Sequence, residues 1–138
     1  MPAVKDKKYA LTLKYIVYAS PEDVFDAITK EALIDEWCEG GGKLEPFVNG
    51  KMEMFDGWVK GEVLGFNRLK KELVYSWKPA EWKKNKESSV VEFKFNSHPA
   101  GTEVFVSHKN FPNQSEVDKH RNGWVDHFFD PLNDYFTR

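Results

Sequence analysis

Hydrophobic residues change their spacing at Phe111-Pro112, and this change constrains the fold more than any other feature of the chain. Before that point apolar residues recur at every second position; after it they recur every three to four. Val104, Val106 and His108 share one face of a strand, with Glu103, Phe105 and Ser107 on the other. Val117, Arg121, Trp124, Phe128, Leu132 and Tyr135 then mark a single stripe. That stripe predicts an amphipathic helix of about 22 residues, roughly 33 Å long. Ser115 is its expected N-cap. Pro131 lies inside it, removes one backbone hydrogen bond and crowds the carbonyl four residues back, so a kink is expected near Phe128.

The rest of the chain reads as strands with one helical interruption. Tyr9, Leu11, Leu13, Tyr15 and Val17 alternate as a half-buried strand does. Ser20-Pro21-Glu22-Asp23 combines an N-cap serine, a proline at the first helical position and acids in the first turn, which predicts a short helix from Pro21 to Thr29. A second short helix follows with Leu33, Ile34 and Trp37 on one side, and it stops at Gly40-Gly41-Gly42. Met52 and Met54 alternate with charges, and Asp56-Gly57 signals a hairpin. Val59, Gly61 and Val63 continue one strand. Leu69, Leu73, Tyr75 and Trp77, with Lys71 in the same phase, mark the next. Pro79 to Glu87 is polar and predicts a long hairpin loop. Val91, Phe93 and Phe95 give a further strand, and Pro99-Ala100-Gly101 turns the chain into the last one. A run of strands followed by a helix predicts an α+β fold with an antiparallel sheet. The expected architecture is one domain over residues 1–138, a helix-grip: a curved sheet of about six or seven strands wrapped around the long C-terminal helix, with two short helices after strand one.

Charge and cysteine content exclude several classes. The net charge is −2 over 138 residues and the signs are interspersed, so no basic stripe offers itself to nucleic acid. Lys83, Lys84 and Lys86 form the densest basic run and read as a solvated hairpin tip. Cys38 is the one cysteine, which excludes an internal disulfide framework. Met1 to Lys8 lacks the apolar core of a signal peptide, and no window approaches 18 apolar residues, so neither a leader nor a membrane span is expected and the expected location is cytoplasmic. Asn113-Gln114-Ser115 then reads as a chance glycosylation acceptor.

The order of these segments, with their residues, resembles the SRPBCC or START-like superfamily. Within it the chain is similar to the branch homologous to the C-terminal domain of the heat-shock-chaperone ATPase activator. The resemblance is carried by Ser20-Pro21-Glu22-Asp23-Val24-Phe25 through Trp37, by Gly61-Glu62-Val63-Leu64 with Leu73-Val74-Tyr75-Ser76-Trp77, by Thr102-Glu103-Val104 through His108 and Phe111-Pro112, and by Gly123-Trp124. The chain departs from the family where Cys38 follows Trp37 and where Asn49-Gly50 precedes the second strand. The resemblance implies a deep cavity between sheet and long helix, used across the superfamily for lipids, sterols and polyketides, and enzymatically by some members.

Individual motifs carry little chemistry of their own. Gly40-Gly41-Gly42-Lys43 is followed by Leu44 and a strand, not by the Ser or Thr and helix of a phosphate loop. His120 and His127 stand two turns apart, about 10 Å along a helix, and no Cys or carboxylate set has metal spacing, so no metal and no cofactor are expected. Cys38 beside Trp37 reads as a small apolar filler, and nothing near it resembles a nucleophile motif. Glu22, Asp23 and Asp26 suit a helix N-terminus. No catalytic residue is assigned. The aromatic load, 15% of the chain, instead predicts a mostly apolar pocket with a few polar groups. The expected lining is Trp37, Met52, Met54, Tyr75, Trp77, Phe93, His108, Trp124 and Phe128, and the expected partner is a small apolar or amphipathic ligand. A protein partner, as for a chaperone regulator, is the second reading; an enzyme using the same cavity is the third.

Overall fold

The computed structural model describes residues 9–138; Met1 to Lys8, read above as no signal peptide, lie outside the described residues. Strand β1 (Ala10–Val17) leads into helices α1 (Pro21–Thr29) and α2 (Glu31–Trp37). Six further strands follow: β2 (Gly42–Leu44), β3 (Lys51–Met54), β4 (Val59–Asn67), β5 (Glu72–Pro79), β6 (Ser89–His98) and β7 (Gly101–Lys109). The chain ends in a continuous helical rod made of α3 (Gln114–Gly123), a π-helical segment (Trp124–Phe129) and α4 (Asp130–Thr137). The seven strands form one antiparallel sheet in the order β1-β7-β6-β5-β4-β3-β2. This is the α+β helix-grip architecture expected from the sequence.

Local chemistry sets the helix ends. The Ser20 hydroxyl accepts from the Asp23 amide and Pro21 opens α1. At the second cap the structure corrects the expectation: Asn113, not Ser115, caps α3, its Oδ1 accepting from the Glu116 amide at 2.9 Å. Pro131 falls one residue into α4, immediately after the π segment. The preceding turn widens, and the Asp130 amide donates to the Val125 carbonyl five residues back. The wider turn relieves the crowding that proline imposes on a regular α turn, so the proline is met here by a π turn.

The sheet curves around this rod. The β4–β5 register shifts between Val63 and Gly65, a bulge that bends the sheet. The alternation of β5 and β7 is as read: Leu73, Tyr75 and Trp77 on one strand and Val104, Val106 and His108 on the other are buried on the helix-facing side. Gly61 lets β4 lie against β5, because a Cβ there would stand 1.8 Å from the Ser76 carbonyl oxygen. Leu69 and Lys71 do not belong to β5. They sit in the β4–β5 turn, where Lys71 has a φ of 55° and Leu69 is 93% exposed. Among the described residues no helix is long and apolar enough to cross a membrane.

Candidate functional site

A cleft of about 510 Å³ opens between the helical rod and one end of the sheet. One wall is the β3–β4 turn, with Phe55, Asp56 and Trp58, together with Trp77 from β5 and Glu81 from the loop after it. The other wall is the rod: Glu116, Lys119, His120 and Gly123 of α3, then Trp124, His127 and Phe128 of the π segment. Glu39 and Gly40, just past α2, close one end. The widened turn therefore presents three lining groups, Trp124, His127 and Phe128, and π turns recur at functional positions.

The aromatic walls are held by directed hydrogen bonds. The Trp58 indole N–H donates to Glu81 Oε1 at 2.7 Å. Trp77 Nε1 donates to His120 Nε2 at 3.1 Å, and His120 Nδ1 lies 2.9 Å from the Glu116 carbonyl oxygen. Because Nε2 accepts, the His120 proton sits on Nδ1 and is donated to that carbonyl. A second indole–imidazole pair lies beneath. Trp124 Nε1 donates to His108 Nδ1 at 3.1 Å, and His108 Nε2 stands 2.7 Å from Ser89 Oγ. Ser89 Oγ donates in turn to the Trp77 carbonyl at 2.8 Å. With Nδ1 accepting, His108 Nε2 carries the proton and donates to Ser89, so every polar atom of this relay is satisfied with a neutral ring. Burial lowers the pKa of His108 well below the ordinary histidine value, and the neighbouring His120 adds to that. Burial also lowers His120, against an opposing pull from Glu116. Both rings are neutral fixtures at neutral pH.

The predicted lining set divides. Trp77, Trp124 and Phe128 meet in the cleft. Met52, Met54, Tyr75, Phe93 and His108 are fully buried in the core below it. Trp37 packs edge-on against Phe128 at 4.8 Å and donates its indole N–H to the Ala27 carbonyl, so it braces the wall from behind. Sequence reasoning missed Glu81, Glu116 and His120 as lining residues. It also missed Trp82, which the polar loop Pro79 to Glu87 conceals: the ring is buried and its N–H reaches Glu116 Oε1 at 3.0 Å. Trp82, the one aromatic in that otherwise polar loop and five residues past Trp77, was the available signal. Nucleophilic chemistry at Cys38 is not supported by its surroundings: burial pushes the thiol up to about 11, which keeps it protonated. Among the described residues no group of three or more His, Cys, Asp or Glu is placed to hold a metal ion.

Residues 18–137 match the family described as Activator of Hsp90 ATPase homolog 1-like protein. The chain belongs to that family. Relatives of this activator-like domain include the human activator of 90 kDa heat shock protein ATPase homolog 1, 27% identical over 135 residues. The match covers 96% of this chain and 38% of the human protein, so the domain corresponds to a little over a third of that relative. Among solved structures, an Hsp90 activator from Plasmodium falciparum superposes with a TM-score of 0.79 at 22% identity, covering 94% of this chain and 96% of that one. A Mesorhizobium loti protein superposes with a TM-score of 0.77 at 26% identity, covering 94% and 97% of the two chains. The chain is thus a member of the Activator of Hsp90 ATPase homolog 1-like family on a START-like fold.

Proposed function

We propose that this activator-like domain holds a small apolar or amphipathic molecule in the cleft between the helical rod and the sheet, against Trp58, Trp77, Trp124 and Phe128. Gly123 is the observation that carries the reading. It sits inside a continuous helical rod at an ordinary helical φ of −63°. A glycine there costs about 1 kcal/mol relative to alanine. Among the described residues, its own helix backbone and chain neighbours aside, nothing lies within 4 Å of the Cβ it lacks, so packing does not require it. It faces the cleft, and what its missing side chain leaves is space for a ligand. The volume falls in the range of small-molecule sites, about 300–1,000 Å³.

Titration with Nile red, a neutral apolar dye, tests this directly. The wild-type protein is expected to bind it at one site and to gain in melting temperature, since a ligand of the folded state stabilises by mass action. Gly123→Leu puts side-chain atoms into the cleft from a position with room for a Cβ, and should weaken binding by at least about tenfold while the urea transition stays cooperative. No dye binding by the wild type, or equal binding by the Gly123→Leu protein, would defeat the proposal.

A second reading is favoured by the family match: the domain acts on a chaperone ATPase, as the names of its human and Plasmodium relatives say of those proteins. A rise in the ATP turnover of purified Hsp90 on addition of this protein supports it, and an unchanged turnover at saturating protein rejects it.

A further inference from the structure

We propose that the molecule held in this cleft is an organic cation, an ammonium group carried on an apolar body. The inference rests on the binding reading above and concerns the charge of the occupant. Among the described residues four carboxylates line the cleft, Glu39, Asp56, Glu81 and Glu116, against one ammonium group, Lys119. Lys119 is 71% exposed at its side chain and lies 3.6 Å from Glu116, so it offsets one of the four. The bases left in the lining are His120, which is held neutral by its indole donor and by burial, and the exposed His127.

The carboxylate partners leave the charge in place. Glu81 and Glu116 accept hydrogen bonds from the indoles of Trp58 and Trp82, which are neutral donors. The Glu81 carboxylate also polarises the Trp58 ring towards greater electron density. Trp58 stands at 6.4 Å and near right angles to Trp77, and at 6.1 Å from Phe55, so several ring surfaces converge on one volume. A cation over such rings gains from their quadrupoles, and low-dielectric walls focus the carboxylate field into the cleft. A carboxylate or sulfate head group meets the same field with the opposite sign. An apolar tail suits the wall formed by Trp124 and Phe128.

The test compares octyltrimethylammonium, octanol and octanoate, which share one chain and differ in charge, by quenching of tryptophan fluorescence at low ionic strength. The cation is expected to bind about tenfold or more tighter than octanol, and octanoate the weakest of the three. The paired substitution Glu39→Gln and Asp56→Asn removes two exposed charges, and asparagine suits the positive φ of position 56. It should lower the affinity for the cation several-fold and leave octanol unchanged. Octanol and the cation binding alike would overturn the charge inference and leave the cleft reading standing. No binding of any of the three, with no Nile red binding, would overturn both.

Discussion

Two buried neutral histidines make the stability of this domain depend on pH in a range where few other groups titrate. In the unfolded chain each titrates near the ordinary value of about 6.5. In the folded protein both values lie lower, through burial first. On acidification the unfolded state therefore takes up protons that the folded state refuses, and folding free energy falls as pH drops below about 6.5 towards the folded values. Protonation would also turn His108 Nδ1 and His120 Nε2 into donors facing indole donors. Between pH 7.5 and 5.5 each fully neutral ring contributes a loss of about 1.4 kcal/mol. His108, which is 0% exposed, should deliver that share in full. His120, opposed by Glu116, delivers up to the same again, for a total between about 1.4 and 2.7 kcal/mol. That is a sizeable part of a typical folding free energy of about 5–15 kcal/mol. Urea melts at the two pH values read it directly. Glutamine at both positions keeps an acceptor for the indoles and cannot protonate. The double variant His108→Gln, His120→Gln should be less stable at pH 7.5 but flat between the two pH values. An unchanged midpoint for the wild type, or a wild-type slope in the double variant, would refute the neutral-relay assignment.

Two further substitutions test the packing. The Tyr75 hydroxyl is buried and has no hydrogen-bond partner among the described residues. Tyr75→Phe removes that unmet donor and should leave stability unchanged or raise it by about 1–3 kcal/mol in a denaturant melt, whereas a loss above about 1 kcal/mol would mean the hydroxyl is engaged in solution. Gly61→Ala drives a methyl group into the Ser76 carbonyl and should cost at least about 1–3 kcal/mol, and a melt shifted by less than about 0.5 kcal/mol would contradict the close approach of β4 and β5.

What could be read in advance follows the range of the interactions. α1 was legible to the residue because Ser20, Pro21 and the first-turn acids act within one turn of chain. The helix-facing sides of β5 and β7 were legible because a strand's period is local. The cleft was not, because its determinants join distant segments: Trp77 with His120 across 43 positions, Trp82 with Glu116 across 34. His108 was correctly placed facing inward, but its sharing of Trp124 and Ser89 depends on three elements meeting. Leu69 failed as a strand residue because a periodic pattern continues through a turn that the backbone does not follow. Asn113 and Ser115 are both good caps, and periodicity alone does not choose between them.

The sheet is open, with β1 and β2 at its two margins. β2 is only three residues long and offers little for another chain to pair with. β1 is long enough to template such pairing, and there the C-terminal rod has a second task. Arg121 donates to the Thr12 carbonyl, and Asn133 accepts from the Tyr18 amide just past the strand's end. The rod that fills the sheet's concave side thus also engages the backbone of the margin that would otherwise invite self-association. A chain cut short before Gln114 would lose its core and its edge guard together, and would be expected to aggregate through β1.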